Sequence, residues 1–143
     1  MTIVRSIAGF CVFMSALIWS QSDQQFWTAL RGTEVDQSAT TRLTLAPFLK
    51  LRYKDVKCTV LDARGIPEYG WGHIAGAVTR QQWEATLVPS QSRDSAVVIY
   101  CQKRDCLLAY EMAASVQRAG WTNTYVYEGG WEEWVSCGLK IDR

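Results

Sequence analysis

The pattern of apolar and polar residues along the chain predicts strands that alternate with helices. Two segments, 58–64 and 95–100, are almost continuously apolar and lack the alternation of a strand with one face in water. The segment 106–120 instead has apolar residues at positions 108, 112 and 116, with 109 and 113 beside them, which is one face of a helix. Gly120 is placed to end that helix. Shorter strands are predicted at 77–79 and in the segment 123–130.

Buried strands that alternate with helices favour an α/β fold in which helices cover both faces of a parallel sheet. The chain has 143 residues, enough for one domain with a substantial core. In such folds ligands bind at the carboxyl ends of the strands, where loops lead into helices. Cys101 directly follows the strand predicted at 95–100 and therefore lies at a position of this kind.

The N-terminal segment has the features of a secretory signal. Arg5 precedes an apolar stretch from Ile7 to Trp19, which is shorter than the about 20 residues of a membrane span. Ser20-Gln21-Ser22 has the small-x-small pattern that signal peptidases accept. We expect export to the periplasm or outside the cell, with cleavage favoured over retention as a membrane anchor. The alternative is an N-terminal apolar helix that packs on the domain. The predicted organisation is a signal peptide or membrane anchor at 1–22, a polar linker at 23–40 and a folded domain at 41–143.

Charge and composition exclude several functions. The formal net charge of +1 argues against nucleic-acid binding, which usually requires a basic excess. His73 is the single histidine, so a metal site built from several histidines is excluded, and we expect no metal and no cofactor. No pair among the five cysteines has the C-x-x-C spacing of a zinc knuckle or a thioredoxin-like site. Cys58 and Cys137 are interpreted as structural thiols, and a bridge between them stays open.

Backbone amides between Cys101 and a helix that starts near Asp105 or Cys106 lack partners inside that helix. Curled into an arc, they would attract an anion and stabilise a thiolate at Cys101. Lowering a cysteine pKa from about 8.5 to about 6.5 requires roughly 2.7 kcal/mol, whereas a helix terminus contributes about 0.3–1 kcal/mol. N–H bonds to sulfur and the charges of Lys103 and Arg104 must therefore supply the rest, with Asp105 facing solvent or capping the helix. The alternative is a buried structural cysteine.

Three segments of the chain are informative when they are read together. They are, in order, VLDARGIPEYGWGHIAGAV, VVIYCQKRDCLLAYEMAASVQRAGW and NTYVYEGGWEEWVSCGLKI. Together they resemble a single-domain rhodanese, a thiosulfate sulfurtransferase, over residues 40–143. The matching features are the Asp62-x-Arg64 pair, the Glu68-Tyr69 helix, the Gly72-His73-Ile74-x-Gly76-Ala77 turn, the strand-borne Cys101 and the Gly129-Gly130-x-x-x-Trp134 ending. The resemblance implies a five-stranded parallel sheet flanked by helices on both faces.

The resemblance also implies an enzyme that moves sulfane sulfur. Cys101 would attack the outer sulfur of a donor such as thiosulfate, and the resulting persulfide would pass its sulfur to a thiol or cyanide. The implied partners are a small sulfur-containing anion and a thiol acceptor, either a small molecule or a redox protein. Related phosphatases have an arginine where this chain has Leu107, which argues against phosphate chemistry. The implied persulfide-binding loop is Gln102, Lys103, Arg104, Asp105 and Cys106, with Asp62 and Arg64 as supporting residues.

Two loop positions depart from the family pattern. Arg104 stands where many single-domain members have glycine, and Cys106 where many have Arg, Ser or Thr. In the family the latter side chain can lie close to the active sulfur, which makes Cys106 a candidate resolving thiol that forms a disulfide with Cys101. The simpler interpretation is an ordinary first-turn helix residue. Two further alternatives are a thiol–disulfide or persulfide relay through this cysteine pair and a catalytically idle binding module.

The remaining candidate residues are given structural roles. His73 is predicted to be a buried imidazole that bonds backbone in the glycine-rich turn rather than a general base. Asp62 and Arg64 are expected to pair and brace the loop after the strand, and the alternative places Arg64 against the anionic donor. Trp71 and Trp131 are predicted to pack, with either able to line the mouth of the site.

Overall fold

The computed structural model of the protein describes residues 39–54 and 58–143. The leader predicted at 1–22 and nearly all of the predicted linker lie outside these residues. Within the described part of the chain, no helix is long and apolar enough to span a membrane.

The centre of the fold is a five-stranded sheet in which every neighbouring pair is parallel. Its strands are β1 (Thr41–Leu43), β2 (Thr59–Asp62), β4 (Val78–Thr79), β5 (Val97–Tyr100) and β6 (Thr124–Tyr127). They lie in the order β1-β6-β5-β2-β4, so the first strand of the chain is at one edge and β5 is central. The parallel sheet predicted from the apolar runs is confirmed.

Within residues 39–54 and 58–143, five helical segments connect the strands. They are α1 (Leu45–Lys54), α2 (Ile66–Trp71), α3 (Arg80–Gln82), α4 (Leu107–Arg118) and α5 (Gly130–Ser136), and a π-helical turn, Trp83–Leu87, continues α3. Local sequence explains their ends. The side chains and backbones of Thr79 and Gln82 form a capping box at the start of α3. Beyond α4, Gly120 adopts a φ of 99°, which confirms its prediction as the stop.

Helices cover both faces of the sheet, which explains why β2 and β5 lack the alternation of apolar and polar residues that a strand with one face in water shows. On one face, Leu61 and Ile99 pack with residues of α4 and with Trp83 and Trp121. The other face carries Val60, Val98, Tyr100 and Tyr127, which pack against Phe48 of α1 and Trp134 of α5. Each central strand therefore sends alternate side chains into two separate cores.

A second, two-stranded sheet was not predicted. β3 (His73–Ile74) pairs antiparallel with β7 (Ile141–Asp142). Two further bonds extend this contact, from Ala75 N to the oxygen of Lys140 at 3.2 Å and from Gly76 N to Oδ2 of Asp142 at 2.7 Å. The last described residues therefore fix the segment that follows α2.

Candidate active site

Cys101 lies immediately after β5, at the carboxyl edge of the sheet, as the sequence predicts. Only 4% of the surface of Cys101 is exposed, and the residue borders a cavity. Its sulfur is bonded to the sulfur of Cys106, with the two Cα atoms 6.1 Å apart. Cys106 is the N-cap residue of α4 and has an extended backbone, with no side-chain cap hydrogen bond. The disulfide therefore links the end of β5 to the start of α4.

The turn between the two cysteines depends on Asp105, which has a φ of 58°. Asparagine and aspartate tolerate this left-handed conformation better than most residues with a side chain. Its side chain is exposed and does not cap α4, so the prediction of a solvent-facing Asp105 is confirmed. This turn reverses the chain and brings Cys106 back to Cys101.

The first turn of α5 holds the other side of the loop. Trp131 N donates to the carbonyl oxygen of Cys101 at 2.8 Å, and Glu132 N donates to that of Gln102 at 3.0 Å. A Cβ at Gly130 would lie 2.7 Å from the oxygen of Cys101, so only glycine allows this approach. Amides without partners inside α5 thus bind the carbonyl groups of the loop.

The amides of the loop itself take no part in these bonds. Because trans peptide groups are planar, the N–H groups of Gln102 and Lys103 point away from α5, opposite to the bonded carbonyls. Among the described residues, no hydrogen bond is donated by the backbone N–H groups of residues 102–105. The predicted N–H bonds to the sulfur of Cys101 are not present in this disulfide-bonded form, so the thiolate nest stays a prediction.

The charge of Arg104 is directed away from Cys101. Its Nη1 atom lies 3.2 Å from Oε2 of Glu128, which also pairs with Arg42 at 3.3 Å. Lys103 is exposed, and neither loop cation lines the cavity. In this disulfide-bonded form the charge of Arg104 is paired with Glu128, and its predicted effect on a thiolate at Cys101 stays a prediction.

Asp62 and Arg64 form the pair that the sequence predicts. Nη2 of Arg64 lies 2.7 Å from Oδ2 of Asp62, and the arginine side chain is only 4% exposed. The same Nη2 donates to the carbonyl oxygen of Gly72 at 2.7 Å. The Tyr100 hydroxyl donates to Asp62 and accepts a bond from Ile74 N at 3.1 Å. One carboxylate therefore links β2, β5 and the segment after α2.

Burial and this pairing set the ionisation of two members of the network. Burial lowers the pKa of Arg64, but the hydrogen bonds and the charge of Asp62 outweigh it, and the pKa is raised on balance. Burial, with the charge and hydrogen bond of Asp62, raises the pKa of Tyr100 far above its ordinary value. Arg64 thus stays a cation whose charge is balanced by Asp62. Its Cζ atom lies 4.4 Å from the ring centre of Trp131.

The cavity beside Cys101 has a volume of about 710 Å³. Its charged lining residues are Arg64, already paired with Asp62, and Glu68. Trp71 lies at this cavity with 75% of its surface exposed. Both tryptophans proposed for the mouth of the site line the cavity, whose residues are Arg64, Gly65, Glu68, Trp71, Gly72, Cys101, Gln102, Cys106, Leu108 and Trp131.

Two other residues from the sequence analysis lie apart from this site. His73 is buried, with Nδ1 3.0 Å from the oxygen of Tyr69 and its ring stacked on that of Tyr69 at 3.8 Å. This is the backbone-bonded imidazole that the turn predicts. Cys137 keeps an exposed thiol, so the bridge between Cys58 and Cys137 that the sequence left open does not form.

The comparison with protein families decides the affiliation of the chain. The model of the rhodanese-like domain matches residues 45–137. The chain belongs to the rhodanese-like family. This match contains β2, β5, α4 and the whole loop from Cys101 to Cys106.

Individual relatives of this rhodanese-like domain are distant. The HTH-type transcriptional regulator Rv0324 of Mycobacterium tuberculosis (strain ATCC 25618 / H37Rv) is 28% identical over 116 residues, which cover 80% of this chain and 50% of that protein. The chain thus spans about half the length of the curated relative it matches. The solved BH2092 protein from Bacillus halodurans has a TM-score of 0.62 at 16% identity, covering 85% of each chain. The human single-domain sulfurtransferase TSTD1 has a TM-score of 0.56 at 18% identity, covering 68% of this chain and 97% of that one.

Sequence reasoning missed three residues that shape the site of this rhodanese-like domain. The sequence predicts Tyr100 only as the last residue of a buried strand. It gives no sign that the Tyr100 hydroxyl bonds to Asp62. The contact of Gly130 with the loop and the pairing of Glu128 with Arg104 both join residues far apart in sequence. Of the three, only Gly130 had a sequence signal, because the Gly129-Gly130-x-x-x-Trp134 ending is one of the features that resemble the rhodanese pattern.

Proposed function

We propose that this rhodanese-like domain transfers sulfane sulfur through a persulfide on Cys101. The observation that carries the proposal is the position of Cys101, which borders a cavity at the carboxyl edge of the sheet and heads a loop with unused backbone amides. Such a loop suits a sulfur that must alternate between a thiolate and a persulfide anion.

The proposed reaction has two half-reactions. The thiolate of Cys101 attacks the outer sulfur of a donor such as thiosulfate, whose S–S bond breaks, and sulfite leaves with the electron pair. The product is Cys101–S–S⁻. An acceptor thiolate or cyanide then attacks the outer sulfur, the persulfide bond breaks, and the thiolate of Cys101 is restored.

The surroundings of Cys101 give each half-reaction support. The backbone N–H groups of residues 102–105 are available to bind the terminal sulfur of the persulfide, because α5 already binds the carbonyl groups of Cys101 and Gln102. The cavity of about 710 Å³ falls within the range of about 300–1,000 Å³ that holds organic ligands. It therefore has room for a thiol acceptor with an organic body, against the indole rings of Trp71 and Trp131.

The Cys101–Cys106 disulfide favours a second candidate function, a thiol–disulfide relay with a redox protein. A partner thiolate would attack one sulfur of the disulfide and form a mixed disulfide, which a second partner thiolate would then resolve. The exchange is reversible, so in a Cys106→Ser variant the thiolate of Cys101 should attack the disulfide of the oxidised partner and release one partner thiolate. The mixed disulfide on Cys101 should then persist, since the internal thiol is removed. The relay is wrong if thiol-carrying proteins are not retained by this variant above the level retained by a Cys101→Ser variant.

The assay for the proposed function is thiosulfate:cyanide turnover after reduction of the protein and removal of the reductant. We expect Cys101→Ser to lower turnover by at least about 100-fold, as loss of a covalent nucleophile does. Cys137→Ser is the matched control, because that thiol is exposed and outside the cavity. It should keep turnover within about twofold. Equal turnover of the Cys101→Ser variant and the native protein would refute a Cys101 persulfide.

A further inference from the structure

We propose that Cys106 is a resolving thiol that reduces the Cys101 persulfide and releases its outer sulfur as hydrosulfide. This activity rests on the proposed function, because it needs a persulfide on Cys101. It adds a second fate for the sulfur, besides transfer to an acceptor. The domain would then act as a persulfide reductase whose electrons come from its own thiol pair.

The structure shows that the two sulfur atoms reach each other. They are bonded, with Cα atoms 6.1 Å apart and five positions apart in sequence. The left-handed conformation of Asp105 makes the turn that this requires, and the turn is part of the native loop. The bonds from Trp131 and Glu132 to the loop carbonyls are present together with the disulfide. The loop therefore accommodates the disulfide product of this attack while its bonds to α5 stay in place.

The position of Cys106 favours a reactive thiolate. It is the N-cap residue of α4, a helix of 12 residues, and its side chain makes no cap hydrogen bond. Cysteines at helix N-termini ionise more readily, because the first amides of the helix and its dipole stabilise the anion. Cys106 is half-buried and borders the same cavity as Cys101, so sulfur displaced from Cys101 can leave through that cavity.

The step balances without an outside oxidant. The thiolate of Cys106 attacks Sγ of Cys101, and the Cys101–Cys106 bond forms while the bond to the outer sulfur breaks. The outer sulfur takes the electron pair and the proton released by Cys106 and leaves as HS⁻. The sulfane sulfur is thereby reduced to sulfide, and the two cysteine thiols are oxidised to a disulfide. An external thiol reductant restores both thiols for the next cycle.

The test is a single loading of the fully reduced protein with thiosulfate labelled at its outer sulfur, in the absence of added thiol. We expect the native protein to release about one equivalent of labelled hydrosulfide and to end about 2 Da lighter, as the disulfide. The Cys106→Ser variant should release less than about a tenth of that amount and stay about 32 Da heavier, as the persulfide. Cys137→Ser is the control and should behave like the native protein.

The outcomes separate this activity from the function on which it rests. If Cys106→Ser gains the sulfur and the native protein also keeps it, the resolving role is refuted and the persulfide carrier stands. Equal release of hydrosulfide from both proteins likewise refutes the role of Cys106. If neither protein gains sulfur from thiosulfate or releases hydrosulfide, the persulfide itself is refuted, and the resolving step with it.

Discussion

The Tyr100 hydroxyl donates a hydrogen bond to the carboxylate of Asp62, its partner in the register between β5 and β2. Tyr100 directly precedes Cys101, so this buried bond fixes the end of the strand that leads into Cys101. The same hydroxyl accepts a bond from Ile74 N, which ties the end of β5 to the segment after α2. The backbone before Cys101 is thus held by a side chain as well as by the sheet.

Tyr100→Phe should lower the free energy of unfolding by about 1–3 kcal/mol, because it leaves a buried carboxylate and a buried N–H short of a partner. Denaturant unfolding measures the change. Tyr53→Phe is the matched control, since Tyr53 is 84% exposed, and it should change stability by less than about 0.5 kcal/mol. Equal stability of the two variants would show that the hydroxyl of Tyr100 contributes nothing.

Loss of one member of the buried Asp62–Arg64 pair should be more costly than loss of a surface pair. Arg64→Met leaves the carboxylate of Asp62 buried without its cation and should lower stability by about 3–5 kcal/mol. Arg80→Met breaks the exposed pair with Glu84, which lies at 2.7 Å, and should cost less than about 1 kcal/mol. Thermal or denaturant unfolding of the two variants decides the matter, and similar losses would contradict the structural role of Arg64.

Substitution of two glycines that share the same φ distinguishes the cost of backbone strain from the cost of a steric contact with the loop. Gly130 and Gly138 both have a φ of 64°, but a Cβ at Gly138 would meet nothing within 4 Å. Alanine at either position should cost about 1–2 kcal/mol through the left-handed backbone. Gly130→Ala should in addition push the loop away from α5, because its Cβ would lie 2.7 Å from the oxygen of Cys101.

Alkylation of Cys101 in the reduced protein measures this second effect. We expect Gly130→Ala to label at least about tenfold more slowly or faster than the native protein at pH 7, since the orientation of the loop amides is altered. Gly138→Ala should label at the native rate. Native labelling in both variants would mean that the contact with α5 does not control the thiol.

Stability should decrease at alkaline pH because burial raises the pKa of several tyrosines, most strongly of Tyr100 and Tyr127. Burial raises the pKa of Tyr100 and of Tyr127, the latter also through its hydrogen bond to Glu133, whereas the unfolded chain releases these protons near pH 10. Below about pH 10 their contribution is complete. Above it the unfolded state binds fewer protons, so stability falls by up to about 1.4 kcal/mol per pH unit for each tyrosine.

Tyr127→Phe tests the alkaline effect by removing one of the two groups. The dependence of unfolding free energy on pH between about 10 and 11.5 should become shallower by up to about 1.4 kcal/mol per unit. Tyr53→Phe again serves as the exposed control and should leave the slope unchanged. An identical slope in Tyr127→Phe would mean that Tyr127 titrates alike in the folded and unfolded states.

Local and periodic features of the sequence were sufficient to predict the parallel sheet and the position of Cys101 at the end of a strand. The runs that became β2 and β5 are almost continuously apolar, and α4 repeats its apolar residues with a helical period. The Asp62–Arg64 pair was also predictable, because the two residues lie two positions apart at the end of a strand. These signals act over a few residues, where pattern and steric preference decide the structure.

The features that sequence reasoning missed depend on contacts between distant residues. β3 and β7 have two residues each, too few to show a period, and they join positions near 73 and 142. Arg104 meets Glu128 across 24 positions, which turned an expected activating charge into a paired one. The local sequence carries no signal of either contact, because each arises from the way the helices pack on the sheet.

The attachment of the loop to α5 has a consequence for the effect of temperature. Helix α5 has seven residues, and a helix of that length has little stability without its packing contacts. Opening of its first turn should therefore require less free energy than global unfolding. As the protein is warmed, sulfur chemistry at Cys101 should be lost while the parallel sheet is still intact, so that inactivation precedes melting.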